Sequence, residues 1–237
     1  FSSIPLKYRY YIPIVAGIMV LVVLITLYSV NRAKSIIDDS IRDMLTMELR
    51  TMRGLFVRER EHRIEKIRIA SRIARELFKI NELEITGEQS TIKVTDQITG
   101  IPHEASYHVW QYKGHLLLGD TLLVDRISRI SGVSATLFQR IDSGYVRIAT
   151  TIRNKRGERA TGTYIPDESP VSVELNQGEM YSGRAFVVNE WYYTIYEPIQ
   201  NDGKTIGALY VGTREKDLQK LRDIFYDIKI GESGYPF

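Results

Sequence analysis

Residues 134–152, SATLFQRIDSGYVRIATTI, contain the pattern from which the fold class follows. Two runs rich in β-branched and aromatic residues, 134–141 and 145–152, flank a DSG turn at 142–144, which is typical of a β-hairpin. Similar pairs of runs follow towards the C-terminus, and one is joined by Asp-Gly at 202–203, a pair suited to a tight turn. Because short turns leave no room for crossover helices, the pattern excludes a parallel doubly wound sheet.

We therefore predict an α+β fold in which an antiparallel sheet of about five strands lies within residues 85–214. The first strand is expected at 91–95, a short amphipathic helix at 120–131 and a closing helix at 215–226. A sheet of this kind cannot bury a face by itself, so we expect helices to cover it.

The amino-acid composition excludes several classes of protein and of functional site. The 237 residues are 43% hydrophobic, which excludes a disordered chain, and they include no cysteine. The lack of cysteine excludes thiol catalysis, disulfides, cysteine-ligated zinc and iron–sulfur clusters. A net charge of +3 is too small to indicate nucleic-acid binding.

Residues 12–30, IPIVAGIMVLVVLITLYSV, carry no charge, and a run of about 17–25 such residues can cross a bilayer as a helix. Tyrosines flank the run at Tyr11 and Tyr28, where interfacial aromatic rings occur. A cleaved signal peptide would have a shorter apolar segment and a better cleavage site, and a buried core helix without any charge is uncommon. We predict a single transmembrane helix at 12–30.

Basic residues lie on both sides of this span, so charge does not decide its orientation. Because a folded domain follows, we expect residues 1–11 to be a cytoplasmic tail and the domain to be extracytoplasmic, on the outer side of the inner (cytoplasmic) membrane. The chain starts at Phe1, and we interpret it as part of a longer protein.

Residues 31–84 are predicted to form a stalk, mostly one long helix. Apolar residues recur there at gaps of three and four, as in Ile37, Ile41 and Met44, which gives one apolar stripe. Clustered arginines could contact nucleic acid or anionic lipid, but the interleaved glutamates favour a solvated face. We expect a homodimer formed through the stripe, contact with membrane lipid and no nucleic-acid partner.

Eight short segments between residues 123 and 212 resemble the fused single Cache type 3 and type 2 family of extracellular sensor domains. They are LVD (123–125), ATLF (135–138), VRIAT (146–150), GTY (162–164), SP (169–170), GEMYSG (178–183), YTIYEP (193–198) and GALYVG (207–212). The resemblance implies a PAS-like sheet over a long N-terminal helix. It also implies a receptor role, in a methyl-accepting chemotaxis transducer, sensor kinase or cyclase. Residues 215–237 resemble a connecting helix and the start of a second, truncated Cache module.

Catalytic patterns are absent from the sequence, including phosphate-binding glycine loops, His-Glu-x-x-His and Gly-x-Ser-x-Gly. Three of the four histidines, His103, His108 and His115, lie close together, but surface histidines are commoner than metal ligands at such spacings. We expect no enzyme activity in this chain, no metal site and no cofactor.

A ligand site is better supported, because tyrosines and arginines crowd the hairpin region and together suit a small anion. Strand alternation would place Arg147 with Tyr145, Ala149 and Thr151 on one face, and Thr150 on the opposite core face. Tyr193 or Tyr196 could line the same cavity as Arg147. The candidate ligand-binding residues are Arg147, Thr150, Thr163, Tyr164, Tyr181, Arg184, Tyr193 and Tyr196.

The alternative is that the tyrosines only fill a half-buried sheet and that the arginines are solvated. The main prediction is an extracytoplasmic sensor that binds a small molecule, such as a carboxylate, and signals across the membrane. The competing hypothesis is a membrane-anchored module that recruits a periplasmic protein without a small ligand.

Overall fold

The computed structural model describes residues 6–215, and the chain divides into two units after Arg58. The first helix, α1 (Leu6–Leu77), begins in the first unit and ends in the second. In the described part of the chain, one helix is long and apolar enough to cross a membrane, with a mean hydropathy of 2.5 in its most apolar window. None of the residues of that window is buried, as expected for a surface that lipid covers.

The second unit is built on a single sheet, which has nine strands among residues 59–215 instead of about five. The strands are β1 (Leu83–Asp96), β2 (Pro102–Tyr112), β3 (His115–Leu116), β4 (Ser134–Ile141), β5 (Gly144–Thr150), β6 (Thr163–Pro166), β7 (Tyr181–Val187), β8 (Glu190–Asn201) and β9 (Lys204–Arg214). Two short helices, α2 (Leu122–Ser131) and α3 (Pro170–Asn176), complete it.

The strands lie in the order β3-β2-β1-β6-β5-β4-β9-β8-β7. All neighbours pair antiparallel except β1 and β6, which are parallel through Thr95 opposite Thr163 and Asp96 opposite Tyr164. The prediction of a purely antiparallel sheet is therefore wrong at this one junction.

Both faces of the sheet are covered. On one face, buried residues of α1 and α2, including Ile67, Ala70 and Val124, pack on the sheet and form what we call the helix-side core. On the other face, α3 contributes Val171 and Leu175 to a second cluster dominated by tyrosine, which we call the aromatic core. Every residue of β5 is buried, because that strand lies between the two cores.

The hairpins of the C-terminal half are confirmed, and so is the helix predicted at 120–131. The turn at 202–203 has positive φ at both residues, as its Asp-Gly sequence requires.

Strands β2 and β3 and helix α3 were not predicted. The first predicted strand is much longer than 91–95, because β1 starts at Leu83 directly after α1 and a short 3-10 turn. The predicted closing helix at 215–226 and the second module lie outside the described residues.

Gly144 shows how tightly β5 and β6 approach each other. Its φ is +144°, and a Cβ on it would lie 1.9 Å from the carbonyl oxygen of Ile165. A side chain cannot be accommodated there without moving backbone, so strand pairing at the edge of β5 depends on this glycine.

We expect Gly144→Ala to lower the free energy of unfolding by more than about 3 kcal/mol, measured by denaturant titration of the full chain in detergent micelles. Gly157→Ala is the matched control, since Gly157 also has positive φ (81°) but has nothing within 4 Å of its Cβ position. Its cost is expected to be about 1 kcal/mol, from backbone strain alone. Equal costs for both variants would contradict the close-approach explanation.

Candidate ligand-binding site

Hydroxyl-bearing residues lie opposite one another across five adjacent strands on the face of the aromatic core. This hydroxyl row consists of Tyr181 on β7, Tyr196 on β8, Tyr210 on β9, Thr136 on β4 and Thr150 on β5. The next row along the strands contains Ala208, Phe138 and Arg147. Since side chains in register on one face are neighbours, the two rows bring phenols, hydroxyls and one guanidinium together.

A β-bulge brings Thr150 to this face. Opposite Leu137 and Phe138 of β4, the register on β5 passes from Ala149 to Arg147, so Ile148 has no partner. Ala149 and Ile148 consequently both join the helix-side core, and the alternation reverses after them. Thr150 therefore faces the same side as Arg147, and its Oγ1 lies 2.6 Å from that of Thr136. The predicted placement of Ala149 beside Arg147 and of Thr150 on the opposite face is wrong for this reason.

Arg147 is completely buried at the centre of this face. Its Nη1 donates to Thr163 Oγ1, its Nη2 donates to Gln97 Oε1 at 3.4 Å, and its guanidinium carbon lies 4.9 Å from the centre of the Phe138 ring. Its Nε has no hydrogen-bond partner in the described part of the chain. The ion pairs that residues 6–215 form involve other arginines and lysines, such as Arg140 with Asp167, and none includes Arg147.

Two buried phenols face this unpaired cation. The rings of Tyr196 and Tyr210 lie 4.9 Å apart between centroids, and both contact Phe138. Neither phenolic oxygen has a hydrogen-bond partner among residues 6–215. Burying a hydroxyl without a hydrogen bond costs free energy. A native protein that buries one in this way normally uses it to bind another partner.

The same burial determines how these groups ionise. Burial lowers the pKa of the Arg147 guanidinium, and the neighbouring tyrosines oppose that effect. Burial raises the pKa of Tyr196 and of Tyr210 well above 10, although Arg147 acts in the opposite direction on both. Both phenols are therefore neutral hydrogen-bond donors at physiological pH.

The aromatic core is closed by α3 and the segments that flank it. Burial raises the pKa of Tyr145 to about 12, and its hydroxyl donates to Asn176 Oδ1 at the end of α3 (2.8 Å). Asp167, just before α3, accepts two hydrogen bonds from Arg140 at 2.5 and 3.0 Å. These contacts hold α3 over the sheet and enclose Arg147 together with the residues around it. We call this group the Arg147 cluster; it consists of Arg147, Gln97, Thr136, Phe138, Thr150, Thr163, Tyr196 and Tyr210.

The sequence model of the Cache 3/Cache 2 fusion domain matches residues 30–237. The chain belongs to this family. A search of the curated proteins finds no match to it. Cache domains are the extracytoplasmic small-molecule sensor domains of membrane receptors, and they are non-catalytic ligand-binding modules. The predicted family resemblance is thereby confirmed, and the apolar N-terminal helix is consistent with a membrane receptor.

Within the Cache domain, five of the eight predicted site residues lie on the aromatic face. Arg147, Thr150, Thr163 and Tyr196 belong to the cluster itself, and Tyr181 contacts its edge, with 6.0 Å between the centroids of Tyr181 and Tyr196.

The other three predicted residues lie on the opposite face of the sheet. Tyr164 and Tyr193 belong to the helix-side core, so Tyr193 does not share a cavity with Arg147. Arg184 is exposed and pairs with Glu215 at 2.7 Å. Arg184 and Tyr193 line a separate cleft of about 440 Å³ together with Ile64 of α1.

Sequence reasoning missed four members of the cluster: Gln97, Thr136, Phe138 and Tyr210. The strand period could have found Tyr210, because it alternates with Leu209 and Val211 on β9. Gln97 could not be found in this way, since it reaches Arg147 only through the parallel β1–β6 contact.

We expect Arg147→Met to raise the free energy of unfolding of the empty Cache domain by about 1–2 kcal/mol, because it replaces a buried unpaired charge with an apolar chain of similar length. The measurement is denaturant unfolding of the full chain in detergent micelles. In the control, Arg140→Met, the two bonds to Asp167 are lost, and a decrease of about 1 kcal/mol is expected. Strong destabilisation by Arg147→Met would show that Arg147 is a structural residue.

Proposed function

We propose that this Cache domain binds a small carboxylate at Arg147 and passes a conformational signal across the membrane. The observation that carries the proposal is the fully buried Arg147, which has no carboxylate partner in the described part of the chain and lies beside two unpaired phenols. A ligand carboxylate would supply both the missing negative charge and the missing hydrogen-bond acceptors.

The donors available at the cluster favour an anion over a neutral ligand. Arg147 offers its Nε–H, and Tyr196 and Tyr210 each offer one neutral O–H. The two oxygens of a carboxylate can accept all of these, and charge-assisted hydrogen bonds are the stronger kind. The ring of Phe138 and the aliphatic residues around it leave the remaining surface apolar, which suits a short carbon chain.

The competing hypothesis, an anchored module that recruits a protein without a small ligand, expects a sheet face filled with satisfied side chains. The aromatic face instead keeps unpaired polar atoms at full burial. A module that only docked proteins through its surface would gain nothing from that cost.

Signalling and assembly form the second part of the proposal. Residues 12–30 cross the inner membrane once, with the Cache domain in the periplasm, and a homodimer forms through the apolar stripe of the stalk. Ile37, Ile41 and Met44 of that stripe are 56%, 44% and 55% exposed in the single chain, so they are available to a second copy.

The ligand proposal predicts a thermal shift of the full chain with a panel of small carboxylates, including acetate, propionate, lactate and succinate. A ligand at about 100 times its dissociation constant should add about 2.7 kcal/mol to the free energy of unfolding. Arg147→Met should abolish the shift, because it removes the charge.

Arg184→Met is the matched control. It also removes an arginine, but from the other face of the sheet, and the carboxylate shift should survive. If no acid in the panel stabilises the folded protein, or if the Arg184 variant loses the shift and the Arg147 variant keeps it, the assigned site is wrong.

The dimer proposal can be tested by disulfide cross-linking, because the chain has no cysteine of its own. Met44→Cys, on the stripe, should cross-link in membranes under mild oxidation. Asp43→Cys, at the residue directly before Met44 and off the stripe, should cross-link at least about tenfold more slowly. Equal rates at the two positions would argue against a stripe-mediated dimer.

A further inference from the structure

Strand β8 connects the two faces of the sheet through consecutive residues. Tyr196 points into the aromatic face and is fully buried beside Phe138 and Tyr210. Glu197, the next residue, points to the face that α1 covers. Consecutive Cα atoms are only about 3.8 Å apart, so a shift of Tyr196 along or across the sheet must move Glu197 as well.

Glu197 holds α1 through a single oxygen. Its Oε1 accepts a hydrogen bond from Ser71 Oγ at 2.6 Å and another from Arg75 Nη2 at 2.7 Å. Ser71 is 3% exposed, so this contact lies inside the packed boundary between α1 and the sheet. Because both bonds end on one atom, displacing that atom by about 1 Å lengthens both beyond good hydrogen-bond geometry.

A second contact joins the same strand pair to α1 two turns earlier. Tyr192, on the aromatic face of β8, accepts a hydrogen bond from Arg214 Nε at 2.9 Å. The backbone oxygen of Arg214 in turn accepts from Arg63 Nη1 at 3.1 Å. The β8–β9 pair thus contacts α1 at Arg63 and again at Ser71 and Arg75.

We propose that Glu197 is a positioning residue that couples the Arg147 face of the sheet to helix α1. This inference rests on the proposed function, because it assigns the route by which ligand binding at the Arg147 cluster would be transmitted to the stalk. The coupling itself is a property of the empty domain, and it exists whether or not a carboxylate binds.

The mechanism needs only small movements. An anion that draws the Tyr196 and Tyr210 hydroxyls towards Arg147 moves β8, and Glu197 moves with it. Because Glu197 accepts hydrogen bonds from Ser71 and Arg75, the part of α1 at residues 59–77 follows this movement. Because the helix is also attached to the sheet through Arg63 and Arg214, it cannot simply rotate about its attachment at Glu197.

The test uses a perturbation of the aromatic face that requires no ligand. A Cβ on Gly212 would lie 2.2 Å from the Tyr210 hydroxyl, so Gly212→Ala must displace that ring, which contacts Tyr196. We expect amide hydrogen exchange in residues 67–77 of the full chain to change at least threefold in Gly212→Ala. In the double variant with Glu197→Met, which has a side chain of similar length and no acceptor oxygen, the same perturbation should change exchange there by less than about twofold, within the range of independent sites.

Arg68→Gln is the control on the helix, because Arg68 is exposed and its ion-pair partner among residues 6–215 is Glu65 of the same helix (2.9 Å). It should leave the effect of Gly212→Ala intact. Should Gly212→Ala fail to fold, Gly183→Ala serves instead, since its Cβ would lie 3.0 Å from the hydroxyl of Tyr181, which contacts Tyr196.

An effect on residues 67–77 that persists unchanged in Glu197→Met would overturn the proposal, and so would no effect of either glycine variant. Neither result bears on carboxylate binding, which the thermal-shift panel tests separately. A domain that binds a carboxylate but lacks this coupling would therefore be recognised as such.

Discussion

The constraint on which this structure depends is that its sheet is buried on both faces. A strand such as β5 cannot simply turn polar residues to solvent, because α1 and α2 cover one side and α3 the other. Every polar side chain in the middle of the sheet must therefore form its hydrogen bonds within the protein or leave its hydrogen-bonding groups free for a ligand. Arg147 is the extreme case, since it is a full charge at zero exposure.

This arrangement explains why the sheet is so rich in tyrosine. A phenol fills volume like phenylalanine, yet it can also offer one hydrogen bond at its tip. On β8 the tyrosines alternate between cores: Tyr193 packs in the helix-side core, while Tyr192 and Tyr196 pack in the aromatic core. A domain with one solvated sheet face would have no need for aromatic residues in consecutive positions.

How far the sequence predicts this fold depends on the range of the interactions involved. The β4–β5 and β8–β9 hairpins were predictable, because turn chemistry and alternation lie within about twenty residues of each other. Strand β2 was missed although Pro102 stands at its first position, where proline is tolerated in a sheet. The parallel contact of β1 with β6 joins residues almost seventy positions apart, and no local pattern encodes it.

The candidate site shows the same division. Arg147 was identified from its residue type and its strand, and Tyr196 from its place in a later hairpin. Thr150 was placed on the wrong face, because a bulge cannot be seen in an unbroken run of β-forming residues. Arg184 resembles Arg147 in the sequence, yet it lies on the other face with Glu215, since only the pairing register of β7 and β8 determines which way it points.

The bulge at Ile148 also has an evolutionary consequence. It places two consecutive residues, Ile148 and Ala149, in the helix-side core, and alternation resumes with Thr150 beside the Arg147 cluster. Deleting the single codon for Ile148 would restore plain alternation and leave Thr150 beside the cluster, because Ala149 would still lie opposite Leu137 and Thr150 opposite Thr136. The bulge thus absorbs one extra residue locally, and a one-residue insertion or deletion at this point would leave the side chains around Arg147 in place, so the strand tolerates a change of length there.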